Sequence, residues 1–509
     1  MIVEDQREVI AFLADPATWG HPAGGVVRID THGATVFLVG ERAYKMKRAV
    51  RFPYMDFSTL ARRRAACEAE ITINRRTAPM IYQGVVAVTK GPAGLALAGA
   101  GAPVEWLVAM RRFEQESLFD RMAKAGRLSP EHIDVLAEEA AEFHETAERH
   151  GDGGGAANLA RAIDLNRDGF AAAAEILDPG AARMLVAACR AALARHAPLL
   201  DARRAEGFVR RCHGDLHLRN VCLVEGRPTL FDAIEFNDDL AVIDVLYDIA
   251  FLVMDLVRDG RTDLANRALN RYLETSDDYG GLAALPLFLA VRAGVRAQTL
   301  AAAALAQSDA GERRRLADEA RAALALAGGF FPQAPPKIIA IGGLSGSGKS
   351  TLARGLAPFV APPPGAVVVR SDVIRKRLAG AALTTPLPPE AYTPEASAAI
   401  YQALVDRCAT IAAAGRTAIA DAVFSRLAER EAMEEAARRA GVAFFGVWLD
   451  AGAAQLIARV SARKGDASDA GPAVVERQLG YDVGAIDWRV IDASRTPEAT
   501  LAVARDNLI

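Results

Sequence analysis

Lys337 to Thr351 reads KIIAIGGLSGSGKST. The apolar run Ile338 to Ile341 predicts a buried strand, the glycines after it a tight loop, and Lys349-Ser350-Thr351 the start of a helix. The spacing Gly343-x4-Gly348-Lys349-Ser350 is that of a phosphate-binding loop, or P-loop. Glycines let successive backbone N–H groups face an anion, Lys349 can reach the outer phosphates of ATP, and the Ser350 hydroxyl suits Mg2+. The candidate nucleotide-binding residues are Gly343, Ser345, Gly346, Ser347, Gly348, Lys349, Ser350 and Thr351.

Outward from this loop, short apolar segments at Ala366–Val369, Thr417–Ala420 and Ala443–Leu449 alternate with helical stretches, which predicts an α/β P-loop domain with a parallel sheet. Ser371-Asp372-Val373-Ile374-Arg375 follows the second strand. There Asp372 can take a proton from an acceptor hydroxyl and Arg375 can hold an anionic group of the substrate. Asp421 closes the next strand at the carboxyl edge of the sheet, where ligands bind, and is a candidate metal ligand with Ser350. Arg459 and Arg463 share a helix face ahead of the polar segment KGDASDAGPA and suit a lid that brings arginines onto a transferring phosphoryl group. Asp492-Ala493-Ser494 is expected to border the adenine. The segment has no long insertion, sensor-arginine array or LSGGQ-like signature, which argues against a motor or a transporter ATPase.

Upstream, GGFFPQAPP (residues 328–336) marks a linker between a helical run at 310–327 and the P-loop strand. A 509-residue chain exceeds the ~250–300 residues one core can serve, so at least two domains are expected: 1–330 and 337–509. Residues 25–112 carry strand-like segments interrupted by one helix at Leu60–Arg76, and residues 113–327 are mostly helical. Mixed sheet followed by helices suggests two lobes. The net charge of −3 gives no footprint for nucleic acid, and five cysteines without a CxxC pair read as reduced thiols. The amino terminus lacks a signal-peptide pattern and no window offers an uncharged membrane span, so a soluble, cytoplasmic protein is expected.

The decisive stretch of the first part is His213-Gly214-Asp215-Leu216-His217-Leu218-Arg219-Asn220, followed by Leu230-Phe231-Asp232. Phosphoryl transfer needs one carboxylate to accept or orient the acceptor proton. It also needs an amide and a second carboxylate to hold Mg2+ on the nucleotide, roles that fall to Asp215, Asn220 and Asp232. The intervening VCLVEGRPTLFD reads as a hairpin turning at Glu225-Gly226. Lys45, in a strand after Gly40-Glu41-Arg42, is the candidate phosphate clamp, and Lys47 shares its strand face. Glu70 is the expected partner of the lysine, with Glu68 as the alternative. His144, Cys212 and Cys222 read as packed residues, and His217 as packed or hydrogen-bonded.

This first part resembles the aminoglycoside phosphotransferase family, small-molecule relatives of protein kinases, over roughly residues 25–300. The resemblance implies a bilobal α+β kinase fold with Asp215 as base, Asn220 and Asp232 on Mg2+, and Lys45 with Glu70 as clamp. It further implies a hinge under adenine near Met110–Arg112 and structural roles for Asp244 and Asp248. The second part resembles P-loop small-molecule kinases of the gluconate kinase, polynucleotide kinase and zeta-toxin neighbourhood, whose common theme is a hydroxyl acceptor. Together they imply a tandem enzyme moving the γ-phosphate of ATP to hydroxyls of small molecules such as sugars, polyols or aminoglycoside-like compounds, in linked steps, with no nucleic-acid or membrane partner. The alternatives are a kinase regulated by a nucleotide-binding or toxin-like module, and a protein kinase. The latter is disfavoured by Ala-Ile-Glu, rather than a glycine, after Asp232.

Overall fold

A computed structural model describes residues 3–22, 24–52, 54–331, 334–462 and 465–508. Helix α1 (Arg7–Ala14) precedes β1 (Val26–Asp30), β2 (Ala34–Val39) and β3 (Arg42–Lys47). A small hairpin, β4 (Arg51–Phe52) with β5 (Met55–Asp56), leads into α2 (Leu60–Asn74), and β6 (Tyr82–Gly91), β7 (Gly94–Leu97) and β8 (Ala102–Arg111) follow. Next come α3 (Phe119–Lys124), α4 (Pro130–Thr146), α5 (Gly155–Ala172), α6 (Pro179–Ala205) and β9 (Val209–Arg211). The hairpin β10 (Val221–Val224) and β11 (Arg227–Leu230) precedes α7 (Asp238–Ala241), β12 (Val242–Asp244) and α8 (Val245–Arg258).

Three helices, α9 (Thr262–Ser276), α10 (Leu285–Ala306) and α11 (Ala310–Gly329), lead to β13 (Lys337–Gly342) and α12 (Lys349–Leu356). The remainder alternates: β14 (Val367–Arg370), α13 (Ser371–Leu378), α14 (Pro394–Ala413), β15 (Ala418–Asp421), α15 (Leu427–Ala440) and β16 (Ala443–Asp450). It ends with α16 (Ala453–Ala462), α17 (Pro472–Leu479), β17 (Arg489–Asp492) and α18 (Pro497–Leu508).

The described residues gather into two compact units. One comprises Met1–Leu159 with Asp201–Leu252, the other Ala160–Leu200 with Val253–Ile509. The first unit is built on an antiparallel sheet of order β1-β2-β3-β8-β6-β7. Helix α2 starts where the Thr59 hydroxyl accepts from Arg62 N at 3.3 Å, and it turns Cys67 and Ile71 onto the sheet residues Leu38, Ala43, Val108 and Met110. Lys45 pairs with Val36 on one side and Val108 on the other, which holds it on an interior strand. The β10–β11 hairpin turns at Glu225-Gly226, both with positive φ, as a two-residue turn requires.

The second unit contains α9, α10 and α11 together with a five-stranded sheet of order β14-β15-β13-β16-β17, every described pair parallel. Ile338 to Gly342 are all buried, as a strand covered on both faces demands. One described helix, over Leu282–Ala306, is long and apolar enough to cross a membrane. Most of it is buried in this unit, where its Arg296 lies 3.2 Å from Asp255.

Candidate active sites

In the first unit, the catalytic-loop sequence is shaped from behind by Asp248 on α8. Its two oxygens accept from His213 N and Gly214 N, each at 2.9 Å, and His144 Nε2 lies 3.1 Å away. His144, Cys212 and Asp248 bring three potential ligand atoms together, but the Asp248 oxygens are engaged in these hydrogen bonds. Gly214 has φ +84° and a Cβ there would meet Leu240 O at 2.9 Å, so glycine is needed at this bend. Asp244 is held by Arg203 at 2.7 and 2.9 Å. Both aspartates are thus structural supports.

The loop then presents Asp215. Asn220 Nδ2 donates to Asp215 O at 2.9 Å and to its Oδ2 at 3.0 Å, and His217 Nε2 lies 3.2 Å from the same Oδ2. His217 is buried and its Nδ1 accepts from Arg219 N, so it is both packed and hydrogen-bonded. Asp232, with φ +62° and its N–H donating to the Tyr82 hydroxyl, projects to Lys45. Lys45 Nζ is 2.5 Å from Asp232 Oδ1 and 2.9 Å from Glu70 Oε1. Lys47 takes the other oxygen of Glu70, at 2.5 Å, and also pairs with Glu235. Glu68 instead pairs with Arg64 on the exposed face of α2.

Exposure separates the two lysines. Lys47 and Glu235 side chains are 2% and 4% exposed, whereas Lys45 is 13% and Asp232 40% exposed. Burial alone would raise the Asp232 carboxyl, but the Lys45 ammonium outweighs it and holds the group below the usual carboxylate range. Burial raises Glu235, with Lys47 opposing. Met110 ends the buried part of β8, and Arg112 N donates to Glu41 O at 2.8 Å. Val36, Phe113 and Phe231 line the apolar cluster there.

In the second unit, a cleft of about 1360 Å³ opens over the P-loop. Ser345 to Leu352, Asp372, Arg375, Asp421, Arg459, Ala493 and Arg495 all line it, so most residues singled out in this half converge; Gly343, Asp492 and Ser494 are not part of the lining, and Arg463 lies outside the described residues. Gly343 (φ +136°) and Gly346 (φ +86°) curve the loop so tightly that a Cβ would sit 2.6 Å from Leu449 O and 2.5 Å from Leu456 O. Lys349 Nζ donates to Gly343 O and Leu344 O at 2.8 and 3.0 Å, and Ser350 Oγ donates to Asp421 Oδ2 at 2.6 Å. Burial raises the Asp372 carboxyl and Asp421 adds to the rise, while Arg370 opposes it.

Arg375 stacks over the Tyr392 ring, 4.8 Å from its centroid, and donates to Ala391 O. Arg459 donates to Ala493 O at 2.9 Å, to Arg495 O and to Gly346 O, which fastens the P-loop to the loop after β17. Three groups escaped the sequence reading. Arg370, almost fully buried, reaches Asp421, Ser350 Oγ and Asp466 at 3.3, 3.3 and 2.8 Å. Buried Lys376 lies 2.6 Å from both oxygens of Asp469, which also accepts from the Tyr392 hydroxyl and Leu387 N. Gln478 Oε1 accepts from Ser345 N at 2.8 Å. Polar residues at a strand end, on a helix or in a loop carry no signal of such partners; only a charge that closes an apolar run, as in VVVR, hints at one.

The Phosphotransferase enzyme family profile matches residues 62–285 and the AAA domain profile residues 338–481. Uncharacterized proteins of Mycobacterium tuberculosis (strain H37Rv) and Mycobacterium bovis are each 30% identical over 489 residues, covering 89% of this chain and 90% of theirs. This chain belongs to one family with these proteins, built of a phosphotransferase-family domain followed by an AAA domain. It is an ATP-dependent kinase with a kinase-like α+β part followed by an α/β P-loop part. Solved structures similar to it include a choline/ethanolamine kinase family protein from Mesorhizobium loti (16% identity, 63% of this chain and 94% of that one, TM-score 0.40). Others are a sugar kinase from Janibacter (22%, 34% and 92%, TM-score 0.27) and the Mycobacterium tuberculosis APS kinase (18%, 34% and 98%, TM-score 0.26).

Phosphotransferases of this kind use ATP, typically with Mg2+, and both donor sets fit. Asn220 turns its amide nitrogen to Asp215, which leaves its side-chain carbonyl oxygen as a donor, and its backbone oxygen accepts from Phe231 N, next to Asp232, so the pair offers an all-oxygen set. Ser350 and Asp421 form a second one next to a cradle that admits only glycine. Hard oxygen donors suit a hard cation.

Proposed function

We propose that both parts transfer the γ-phosphate of ATP to a hydroxyl group of a small metabolite, a sugar, polyol or related compound, in linked steps in the cytoplasm. The observation that carries this reading is that each part has its own complete set of phosphate-binding cation, acceptor-side carboxylate and oxygen ligands. The domain division carried with it is 1–330 and 337–509, joined by residues 328–336.

In the first site, Lys45, oriented by Glu70, binds the α/β-phosphates, while Asn220 and Asp232 would hold Mg2+. In the second, residues 343–351 cradle the phosphates, and Ser350 and Asp421 would hold the ion. Mg2+, when bound, supplies charge neutralisation at the β/γ-phosphate oxygens. Asp215 and Asp372 accept the acceptor's hydroxyl proton as its oxygen bonds to the γ-phosphorus and the bond from that phosphorus to the ADP oxygen breaks. Arg375 holds an anionic group of the second acceptor. Arg459, which reaches Gly346 O of the P-loop, is the lid-side arginine that acts on the transferring phosphoryl group, as would Arg463.

The test is transfer of labelled γ-phosphate by the full chain to a panel of hydroxylated metabolites. Asp215→Asn should abolish labelling of one acceptor and Lys349→Ala that of another. If Asp215→Asn leaves every labelled product unchanged, the base assignment is wrong. Linked steps require that the product of one site be consumed by the other in a chase.

A further inference from the structure

Helix α9 lies inside the stretch matched by the phosphotransferase family, yet within its compact unit it packs along β14, the edge strand of the P-loop sheet. Asn266 Nδ2 donates to Ala366 O at 2.9 Å. One turn later, Asn270 Nδ2 reaches the same carbonyl at 3.2 Å and its Oδ1 accepts from Val368 N at 2.6 Å. Both asparagines are buried, and they satisfy backbone groups that the edge strand would otherwise leave without a sheet partner.

Helix and strand advance in step. Four helical residues rise about 6 Å and two strand residues about 6–7 Å, so the next position of this ladder brings Glu274 level with Arg370. The alignment continues at Asp277, where Arg377 and Arg407 converge at 3.2 and 2.8 Å. Arg377 also donates to Thr275 O at 2.7 Å, and it belongs to α13, the helix that carries Asp372 and Arg375.

Arg370 is the buried cation that touches Asp421, Ser350 and Asp466. Glu274 is itself buried, 3.1 Å from Arg271, and its charge acts on both Arg370 and Arg354 of α12. We propose that Glu274 is a positioning residue of the P-loop site supplied by the phosphotransferase part: a fixed carboxylate that balances Arg370 and sets the field at the P-loop phosphates. The proposal rests on reading the P-loop as an ATP site.

The sign of the effect separates this role from scaffolding. Neutralising Glu274 makes the surroundings of a polyanion more positive and tightens its binding, whereas loss of a scaffold weakens it. The test uses the full chain in a Lys45→Met background, with a ribose-labelled fluorescent ATP as probe. Glu274→Gln is expected to bind the probe roughly threefold to tenfold more tightly, and because the carboxylate is buried most of the gain should persist as salt is raised. Glu274→Asp should stay within about twofold of the parent. Arg271→Gln frees the carboxylate's charge and should weaken binding, a shift of opposite sign that does not depend on how well the first variant folds. If Glu274→Gln binds equally or more weakly, or if both neutral variants shift the same way, the proposal is overturned. Probe binding that Lys349→Ala leaves untouched would overturn the P-loop reading itself.

Discussion

Lys47→Met separates the two lysines on β3, one carrying chemistry and the other the fold. Lys47 is enclosed with Glu70 and Glu235, whose side chains are 0% and 4% exposed. Removing its ammonium leaves two buried carboxylates to share Lys45. Breaking a buried pair from one side costs about 3–5 kcal/mol, because the remaining charge has neither water nor partner. At about 2–4 °C per kcal/mol, the unfolding midpoint of this unit should fall by roughly 6–20 °C. Lys45→Met leaves Glu70 paired with Lys47 and leaves Asp232, 40% exposed, to water, so the midpoint should move by no more than about 1–2 kcal/mol equivalent. That variant should instead lose about 10²–10³ in ATP turnover, since its cation is aimed at developing phosphate charge. Thermal unfolding, with initial rates measured in a Lys349→Ala background, reads both quantities. Lys47→Met with Glu235→Gln should recover most of the lost stability. If Lys47→Met unfolds with the parent but loses turnover, while Lys45→Met retains it, the assignment is reversed.

Four further outcomes follow from the geometry. Burial holds the Asp372 carboxyl above the usual 3.8, so turnover at the P-loop site should rise with pH through that elevated value, and Asp372→Asn should remove this limb with a loss of about 10²–10⁴ in rate. Because ionising a carboxyl raised in the folded state costs stability as pH rises, Asp372→Asn should unfold no lower than the parent at pH 8, checked by thermal melts. Gly346→Ala places a Cβ against Leu456 O at a positive φ and should abolish nucleotide binding at the second site while leaving the first intact, measured by calorimetry in site-selective backgrounds. All five cysteines are buried, and burial pushes the Cys67, Cys189, Cys222 and Cys408 thiols up to about 12, so a thiolate-selective reagent should label the protein only after denaturation.

The sequence was most legible where spacing along one segment carries the chemistry. KIIAIGGLSGSGKST folds as strand, loop and helix, and HGDLHLRN brings Asn220 onto Asp215 within one short loop. The Glu225-Gly226 turn and the strands at 338–341, 366–369, 417–420 and 443–449 lie within a residue of the observed elements. What depends on distant partners was not legible. Period-two spacing puts Lys45 and Lys47 on one strand face, and only the arrival of Glu235, 188 residues later, distinguishes them. Arg370 reads as the end of an apolar strand, and its value comes from parallel pairing that sets it beside Asp421. Asp466 and Asp469 read as a polar lid segment, yet both fasten to buried cations, Arg370 and Lys376. The asparagines of α9 carry no motif at all; their partners, Ala366 just before β14 and Val368 within it, lie about 100 residues away.

The most direct measurement is the stoichiometry of ATP binding to the full chain by equilibrium titration with Mg2+ present. Two sites per chain are expected, with Lys45→Met and Lys349→Ala each removing one and the double variant binding none. A single site in the parent chain, or nucleotide retained at full stoichiometry by the double variant, would contradict the existence of two independent phosphotransfer centres.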